Sequence, residues 1–359
     1  MFIAPNTPAV VVNLDQVDRN IESMVQSLSA HGISHRPHIK THKSLYFARL
    51  QMELGAVGVT CARIGELETM IHGGVRNVLL AYPVIGNDKL RQLGNLLRYA
   101  DIICAVNSME GAKALSLLGN HVRKISVLIE VDGGTHRGGL APYEPTLAFA
   151  NDLKDLSGIQ VIGLMYYGGT ASSCHSREEL EQVAKKEREE LCGTAELLKQ
   201  NGFDMQVLSG GSSYSSKMPE LLDGITESRA GTYIFNDCMQ MSLGMATEQE
   251  CALRVHSTVV CVVDEHHLII DAGSKSLASD LCANRPGHGF VCELPDATIT
   301  HLNEEHGFVE TKTPHGKRIG DIVTVIPNHC CTVVNLFGTL VGTRNGDYYS
   351  TITVDARGK

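Results

Sequence analysis

Eight short extended stretches that alternate with helical patterns constrain the fold of this chain more than any other feature. The stretches are residues 37–40, 58–62, 77–81, 102–106, 125–131, 161–166, 205–208 and 229–235. Several are separated by segments with the apolar spacing and charge of surface helices, such as 89–99 and the long segment 177–201. This alternation predicts an α/β fold with a closed (β/α)8 TIM-like barrel, and an open doubly wound sheet is the alternative.

The pattern changes after about residue 245. Stretches 252–263, 267–271 and 322–326 are rich in Val, Ile and Thr, which predicts strands. Asn345-Gly346 predicts a hairpin turn between strands 339–343 and 348–354. The tail is therefore expected to be a mostly β domain.

The predicted domains are a barrel over residues 12–240 and a C-terminal β domain over 245–359. The apolar strand 9–14 is surplus to the barrel count, so we expect it to pair with the β domain, to which we assign residues 1–11.

Composition excludes several classes of function. A net charge of -9 gives no basic surface for nucleic acid, and no stretch approaches the apolar length of a membrane span. The 11 cysteines are scattered without a CxxC motif, and the first residues lack the basic and apolar regions of a signal peptide. We expect a cytoplasmic protein with reduced thiols that acts on a small molecule.

Lys40 is the first candidate site residue. If 37–40 is a strand, alternation places His38 and Lys40 on one face, at the strand end where α/β proteins usually carry their chemistry. A partly desolvated lysine beside imidazoles can form a Schiff base with a carbonyl cofactor. The alternatives are a solvated basic strand end and Lys43 as the reactive lysine.

Two kinds of glycine-rich loop follow later strands. In Gly133-Gly134-Thr135-His136-Arg137 the backbone can approach a ligand closely, and Arg137 can hold an anionic oxygen, although an ordinary turn would look similar. Ser209-Gly210-Gly211-Ser212-Ser213 and Gly231-Thr232-Tyr233 fall after the seventh strand and at the eighth. Barrels often bind phosphate there, which predicts an anion site.

His329 and Cys331 form a candidate metal pair. On an extended chain they would point the same way, and imidazole with thiolate suits zinc or another divalent transition metal. Buried thiols beside a structural histidine are the alternative.

Motifs from end to end resemble those of the D-threonine aldolase and D-serine dehydratase family of alanine-racemase-like pyridoxal phosphate enzymes. The resemblance is carried, in order, by Thr7-Pro8-Ala9, RPHIKTHK (36–43), residues 227–237, Asp271-Ala272-Gly273-Ser274-Lys275, PNHCCTVVNLF (327–337) and Ala356-Arg357-Gly358. It implies a barrel, a C-terminal β domain and a homodimer whose active site the partner completes.

The resemblance also implies roles for residues of this sequence. Lys40, with His38 beside it, matches the lysine that carries pyridoxal 5'-phosphate, and His329 and Cys331 match the pair that holds a divalent metal, Zn or Mn. The remaining cofactor residues that it implies are Arg137 and Tyr167 near the ring, and Gly211, Ser212, Ser213, Gly231, Thr232 and Tyr233 near the phosphate.

The implied reaction is lyase chemistry on a D-3-hydroxy amino acid. Retro-aldol cleavage to glycine and an aldehyde is the prediction, and dehydration to an oxo acid and ammonia is the alternative. A racemase and a cofactor carrier are weaker alternatives. The resemblance also implies a histidine base at about position 173, where this chain has serine, so His175 and His136 are the candidate bases for the β-hydroxyl.

Overall fold

A computed structural model describes residues 3–4, 6–119 and 123–359, and the chain divides into two compact units. The barrel unit comprises Ser23–Lys40, Phe47–Gly231 and Lys359. The β unit comprises Met1–Glu22, Thr41–Tyr46 and Thr232–Gly358. Residues 1, 2 and 5 of the predicted 1–11 segment lie outside the described residues.

The first strand, β1 (Ala9–Asn13), belongs to the β unit, and the next eight form the parallel sheet of the barrel unit. These are β2 (Ser34–His35), β3 (Val59–Cys61), β4 (Asn77–Leu80), β5 (Asp101–Val106), β6 (Ile125–Val131), β7 (Ile159–Tyr166), β8 (Val207–Gly210) and β9 (Glu227–Ser228). Their order in the sheet is β2-β9-β8-β7-β6-β5-β4-β3.

Backbone hydrogen bonds bring the two ends of this sheet together. The Val57 N–H donates to the His35 carbonyl at 2.9 Å and the Thr60 N–H to the Pro37 carbonyl at 2.8 Å. The segment after β2 therefore lies against β3, and the predicted (β/α)8 barrel is confirmed.

Helices alternate with these strands. The helices of the described residues are α1 (Leu14–Ala30), α2 (Leu45–Glu53), α3 (Ile64–His72), α4 (Asn87–Leu96), α5 (Met109–Leu118), α6 (Glu144–Leu153), α7 (Arg177–Gln200), α8 (Cys238–Ser242), α9 (Ser274–Leu277) and α10 (Cys330–Leu336). Ser176 caps the first turn of α7, where its Oγ accepts a hydrogen bond from the Glu179 N–H. None of the helices in the described part of the chain is long and apolar enough to cross a membrane.

Two predicted barrel strands, 37–40 and 229–235, do not form, because the observed strands end just before them. The chain leaves β2 at His35 and forms a 3-10 turn over Ile39–Thr41, so the prediction that His38 and Lys40 share a strand face is wrong. Likewise β9 ends at Ser228, and Thr232–Ile234 is a 3-10 turn. Over only three residues, the spacing of apolar and polar side chains does not distinguish a strand from a turn.

The β unit is built on an antiparallel framework. Its further strands are β10 (Leu253–Val262), β11 (His267–Ile270), β12 (Phe290–Val291), β13 (Thr298–Leu302), β14 (Gly307–Glu310), β15 (Ile322–Ile326), β16 (Thr339–Arg344) and β17 (Asp347–Thr353). Strand β1 lies between β10 and β16, which confirms that the N-terminal strand pairs with the C-terminal sheet. The turn between β16 and β17 places Asn345 and Gly346 at φ 51° and 82°, as an Asn-Gly hairpin requires.

Candidate functional site

Two of the predicted cofactor residues, Lys40 and Arg137, lie near the aromatic ring of a third, Tyr167, in the barrel unit. Tyr167 directly follows β7, and the Lys40 Nζ lies 5.7 Å from the centroid of its ring. The Arg137 guanidinium carbon lies 5.0 Å from the same centroid. Lys40 and Arg137 are exposed in the isolated chain, whereas Tyr167 is half-buried. An amine and a guanidinium are thus available to a ligand that lies against the Tyr167 ring.

A turn, and not a strand, positions Lys40. The His38 Nδ1 accepts a hydrogen bond of 3.4 Å from the Lys40 backbone N–H, and the His38 side chain is half-buried. The two residues are therefore neighbours through the backbone of the 3-10 turn, although they do not alternate along a strand as the sequence pattern suggested.

The loop after β8 is compact and rich in small polar groups. The Gly211 backbone has φ 73°, and a Cβ there would lie 2.6 Å from the Ser216 Oγ, so only glycine fits. Ser212 and Ser213 are buried, and the Gly231 N–H donates to the Ser213 Oγ at 3.2 Å. The structure thereby joins Gly231 to this loop.

The other two residues predicted near the phosphate, Thr232 and Tyr233, lie in the β unit. Tyr233 is fully buried there, and the Thr232 Oγ1 lies 3.6 Å from the Cys331 Sγ.

Glu187, a buried carboxylate that the sequence reasoning missed, supports the loop after β8. Its Oε1 accepts a hydrogen bond from the Gly211 N–H and its Oε2 accepts one from the Ser215 hydroxyl, both at 2.8 Å. Burial raises the pKa of this carboxyl. The sequence did carry a signal for it, because Glu187 falls between Ala184 and Leu191 on the buried stripe of α7. A glutamate on such a stripe needs hydrogen-bond partners in the core.

A buried polar chain connects the ends of four barrel elements. The Arg36 Nε donates to the Glu227 Oε2 at 2.6 Å, and the Ser209 hydroxyl donates to the other Glu227 oxygen at 2.7 Å. Arg229 donates to the Ser209 Oγ and to the Tyr166 carbonyl, both at 2.7 Å. Because all of these groups are buried and satisfied, they fix the strand ends around the candidate site.

The glycine-rich loop after β6 holds His136 by a carboxylate. The Asp132 Oδ1 accepts hydrogen bonds from the Gly134 and His136 N–H groups at 3.1 Å, and the Asp132 Oδ2 lies 2.7 Å from the His136 Nδ1. The His136 side chain is 87% exposed, so its Nε2 edge faces solvent. A histidine oriented by a carboxylate in this way can act as a base through Nε2.

The same loop lies against Tyr167. A Cβ at Gly133 would lie 2.0 Å from the Tyr167 carbonyl oxygen, and a Cβ at Gly169 would lie 2.7 Å from the Thr135 methyl carbon. The loop that carries His136 and Arg137 therefore approaches the ring that Lys40 also approaches.

The other candidate base, His175, precedes α7. It is exposed, directly before the helix cap Ser176, and its backbone N–H donates to the Glu179 Oε2 at 2.7 Å.

In the β unit, His329 and Cys331 lie at the start of α10, with Cys330 buried between them. The predicted extended chain is therefore wrong here. The physical reason is Asp237, whose Oδ2 accepts a hydrogen bond from the Cys330 N–H at 3.1 Å and so supports the first turn of the helix. Asp237 was missed because its partners are about 90 residues away in the sequence.

Asp237 also orients His329. Its Oδ2 lies 3.1 Å from the His329 Nδ1, and its side chain is fully buried. Metal-binding histidines usually have a carboxylate on the nitrogen that does not bind the metal. With Nδ1 beside Asp237, the His329 Nε2 is the nitrogen that would bind a metal.

Charge couples the two predicted metal ligands. The negative charge of Cys331 holds the pKa of His329 well above its usual range. Hydrogen bonding from the Cys330 thiol, and then the charge of His329, hold the pKa of Cys331 well below its usual range. A thiolate is therefore available, and the Thr41 hydroxyl lies 3.2 Å from its sulfur.

The residues present fit the two groups that the sequence implies. An amine beside a ring and a loop of glycine and serine suit pyridoxal phosphate, and an oriented imidazole with a thiolate suits a zinc-like metal. Across residues 3–4, 6–119 and 123–359, no three His, Cys, Asp or Glu side chains cluster as a metal site. A metal held by His329 and Cys331 alone would keep other coordination positions open.

Comparison with known proteins adds family matches to this geometry. Residues 12–238 match the alanine racemase N-terminal domain, and residues 252–343 match a putative serine dehydratase domain.

Three similar proteins cover nearly the whole chain. The D-threo-3-hydroxyaspartate dehydratase of Delftia sp. strain HT23 is 31% identical over 350 residues, which cover 91% of each chain. The crystal structure of D-threonine aldolase from Filomicrobium marinum has a TM-score of 0.90 at 26% identity and covers 98% of this chain and 96% of its own. A D-threo-3-hydroxyaspartate dehydratase mutant in the metal-free form has a TM-score of 0.89 at 30% identity, with 97% of each chain covered.

Proposed function

We infer a specific reaction for this chain, which belongs to the family of D-threonine aldolases and D-serine dehydratases with an alanine-racemase-like fold. The reaction is the cleavage of a D-3-hydroxy amino acid to glycine and an aldehyde. The observation that carries this proposal is the Asp132–His136 pair, because bond cleavage between Cα and Cβ needs a base for the β-hydroxyl proton.

Each of the two units would hold one bound group. Lys40 would hold pyridoxal phosphate, with Arg137 and Tyr167 near its ring and the loop at Ser212 and Ser213 near its phosphate. When bound, the cofactor withdraws electrons from the bond that breaks. His329 and Cys331 would hold a divalent metal, which supplies a Lewis acid.

The residues of the chain have separate tasks in this proposal. Asp132 accepts a hydrogen bond from the Nδ1–H of His136 and so keeps the Nε2 lone pair free. The His136 Nε2 takes the proton of the β-hydroxyl as the carbon–carbon bond breaks, and it can return a proton to the product. Arg137 and the Tyr167 ring restrict how a ligand on Lys40 can lie.

Dehydration is the second candidate, and the 31% identical dehydratase from Delftia supports it. In that reaction the Lys40 amine would remove the α-proton, and the hydroxyl would leave as water. Replacement of His136 would then leave the rate unchanged, and this outcome distinguishes dehydration from aldol cleavage. The homodimer that the resemblance implies stays a prediction.

A substrate panel tests the proposal. We would incubate the purified protein with pyridoxal phosphate and Mn²⁺ and supply D-threonine, L-threonine, D-serine or D-threo-3-hydroxyaspartate. Glycine with the matching aldehyde from the D-3-hydroxy amino acids supports the aldolase. Ammonia with an oxo acid would instead support the dehydratase. L-threonine serves as the matched control.

A further inference from the structure

A hydrogen-bonded chain of three buried side chains runs from α7 into the loop after β8, and only its last member, Ser212, has a place in the site proposed above. It runs from the Glu187 Oε2 to the Ser215 Oγ at 2.8 Å, and from there to the Ser212 Oγ at 3.2 Å. All three side chains are buried, with Glu187 only 1% exposed. The chain therefore ends at the loop that we assign to the phosphate.

Backbone groups fix the outer contacts of these side chains. The Gly211 N–H donates to the Glu187 Oε1, and the Ser212 N–H donates to the Ser215 Oγ at 2.9 Å. The Ser212 Oγ accepts hydrogen bonds from the N–H groups of Tyr214 and Ser215 at 3.2 and 3.1 Å. What remains variable is the direction of the hydroxyl protons, since each serine has one.

The protonation state of Glu187 sets that direction. When Glu187 is ionised, the Ser215 hydroxyl donates to it and the Ser212 hydroxyl donates to Ser215, so both protons point inward. When Glu187 is protonated, it donates to Ser215 and Ser215 donates to Ser212. Because the Ser212 Oγ has only two lone pairs, this hydrogen bond replaces one of its two backbone N–H donors. The Ser212 hydroxyl proton then has no acceptor among these three side chains, so it can be donated to an anion.

We propose that Glu187 is a positioning residue that makes phosphate binding at this loop depend on one proton. Uptake of a proton by Glu187 reverses the Glu187–Ser215–Ser212 chain and provides a hydroxyl donor for the phosphate of the cofactor. It also removes a buried negative charge near the incoming dianion. The inference rests on the proposed function in one respect, that the loop binds the phosphate of pyridoxal phosphate.

The surroundings of Glu187 are compatible with both states. The facing ionisable groups are Arg229, which follows β9, and Tyr166 at the end of β7, whose hydroxyl donates to Glu190 at 2.6 Å. Arg229 favours the carboxylate, whereas complete burial favours the neutral acid and raises the pKa of Glu187. A bound phosphate adds negative charge, which moves the balance further toward the neutral acid.

Cofactor binding to the apoprotein tests this inference without any turnover. We would measure the Kd of pyridoxal phosphate and of pyridoxal, which lacks the phosphate, between about pH 7 and pH 9, where the phosphate is largely a dianion. The ratio of the two Kd values isolates the phosphate contribution. For the wild type, we expect the preference for the phosphorylated form to weaken with rising pH, by up to about tenfold per pH unit for one linked proton.

Glu187→Gln is the decisive variant. Its amide accepts from Gly211 and donates to Ser215, as the protonated acid does, so the preference should become independent of pH and stay at the strong, low-pH value. Glu190→Gln, on the same helix but bonded to Tyr166, is the matched control and should keep the wild-type pH dependence.

A wild-type preference that does not change with pH, or a Glu187→Gln protein that keeps the wild-type dependence, would overturn the inference. If Glu187→Gln does not fold, Ser215→Ala gives the same test, because Ser212 then loses its inward acceptor at every pH. Failure of the proposed reaction would appear in the products and would leave these binding ratios unchanged.

Discussion

Replacement of Asp132 by asparagine tests the base that we assign to the aldol cleavage. Asp132 makes three contacts with its own loop, two through Oδ1 to backbone N–H groups and one through Oδ2 to the His136 Nδ1. In Asp132→Asn the amide oxygen is expected to keep the two backbone hydrogen bonds. Its NH₂ group then faces Nδ1, which must become an acceptor, so the proton moves to Nε2 and the base is lost.

The size of the effect follows from the exposure of the histidine. General base catalysis contributes about 10²- to 10⁴-fold to a rate. Because the His136 side chain is 87% exposed, water competes with it as a base, and we expect the low end of this range. The kcat of Asp132→Asn for D-threonine cleavage should therefore fall on the order of 10²-fold, and His136→Ala should fall by a similar factor.

Steady-state assays that count glycine and aldehyde separately would measure this loss. The absorbance of bound cofactor and the Tm should stay at the wild-type values, because the backbone contacts of the loop remain. His175→Ala is the control, and we expect it to keep the wild-type rate. A wild-type rate in Asp132→Asn and His136→Ala, or a loss confined to His175→Ala, would refute the assignment.

Three further changes have defined outcomes. Lys40→Ala should abolish the absorbance of lysine-bound cofactor in a spectrophotometric titration, and persistence of the band would exclude Lys40 as its attachment point. His329→Ala should release the metal, measured by elemental analysis, and lower the rate while the cofactor stays bound; an unchanged rate in metal-free protein would contradict the metal's role. Burial lowers the pKa of His35 from 6.5 to about 3, so the unfolded chain binds more protons than the folded one as pH falls below 6.5. The free energy of unfolding should therefore drop by about 1.4 kcal/mol per pH unit in that range, and denaturant titrations of His35→Gln should show a flatter acid limb.

The barrel and the β unit were predictable because their signals are local. Alternating strands and helices repeat along residues 37–235, and the Asn345-Gly346 pair specifies its hairpin without help from the rest of the fold. The same reasoning failed at Lys40 and at Cys330. In both places short-range alternation predicted an extended chain. Lys40 instead lies in a 3-10 turn, and at Cys330 the carboxylate of the distant Asp237 accepts a backbone hydrogen bond and supports a helix.

Supporting carboxylates of the site were harder to predict than the residues they support. Glu187 and Asp237 bond groups 24 to 93 residues away along the chain, and no motif connects them. Asp132 lies only four residues before His136, and the positive φ of His136, 51°, is part of the loop that brings the two together. Its role is set by a backbone conformation that the sequence pattern does not specify.

Product analysis after incubation of the holoprotein with D-threonine tests the central claim most directly. Glycine and acetaldehyde in equal amounts, at the rate at which D-threonine disappears, is the result that we predict. Ammonia and 2-oxobutanoate in those amounts would contradict the aldol cleavage and with it the task that we assign to His136.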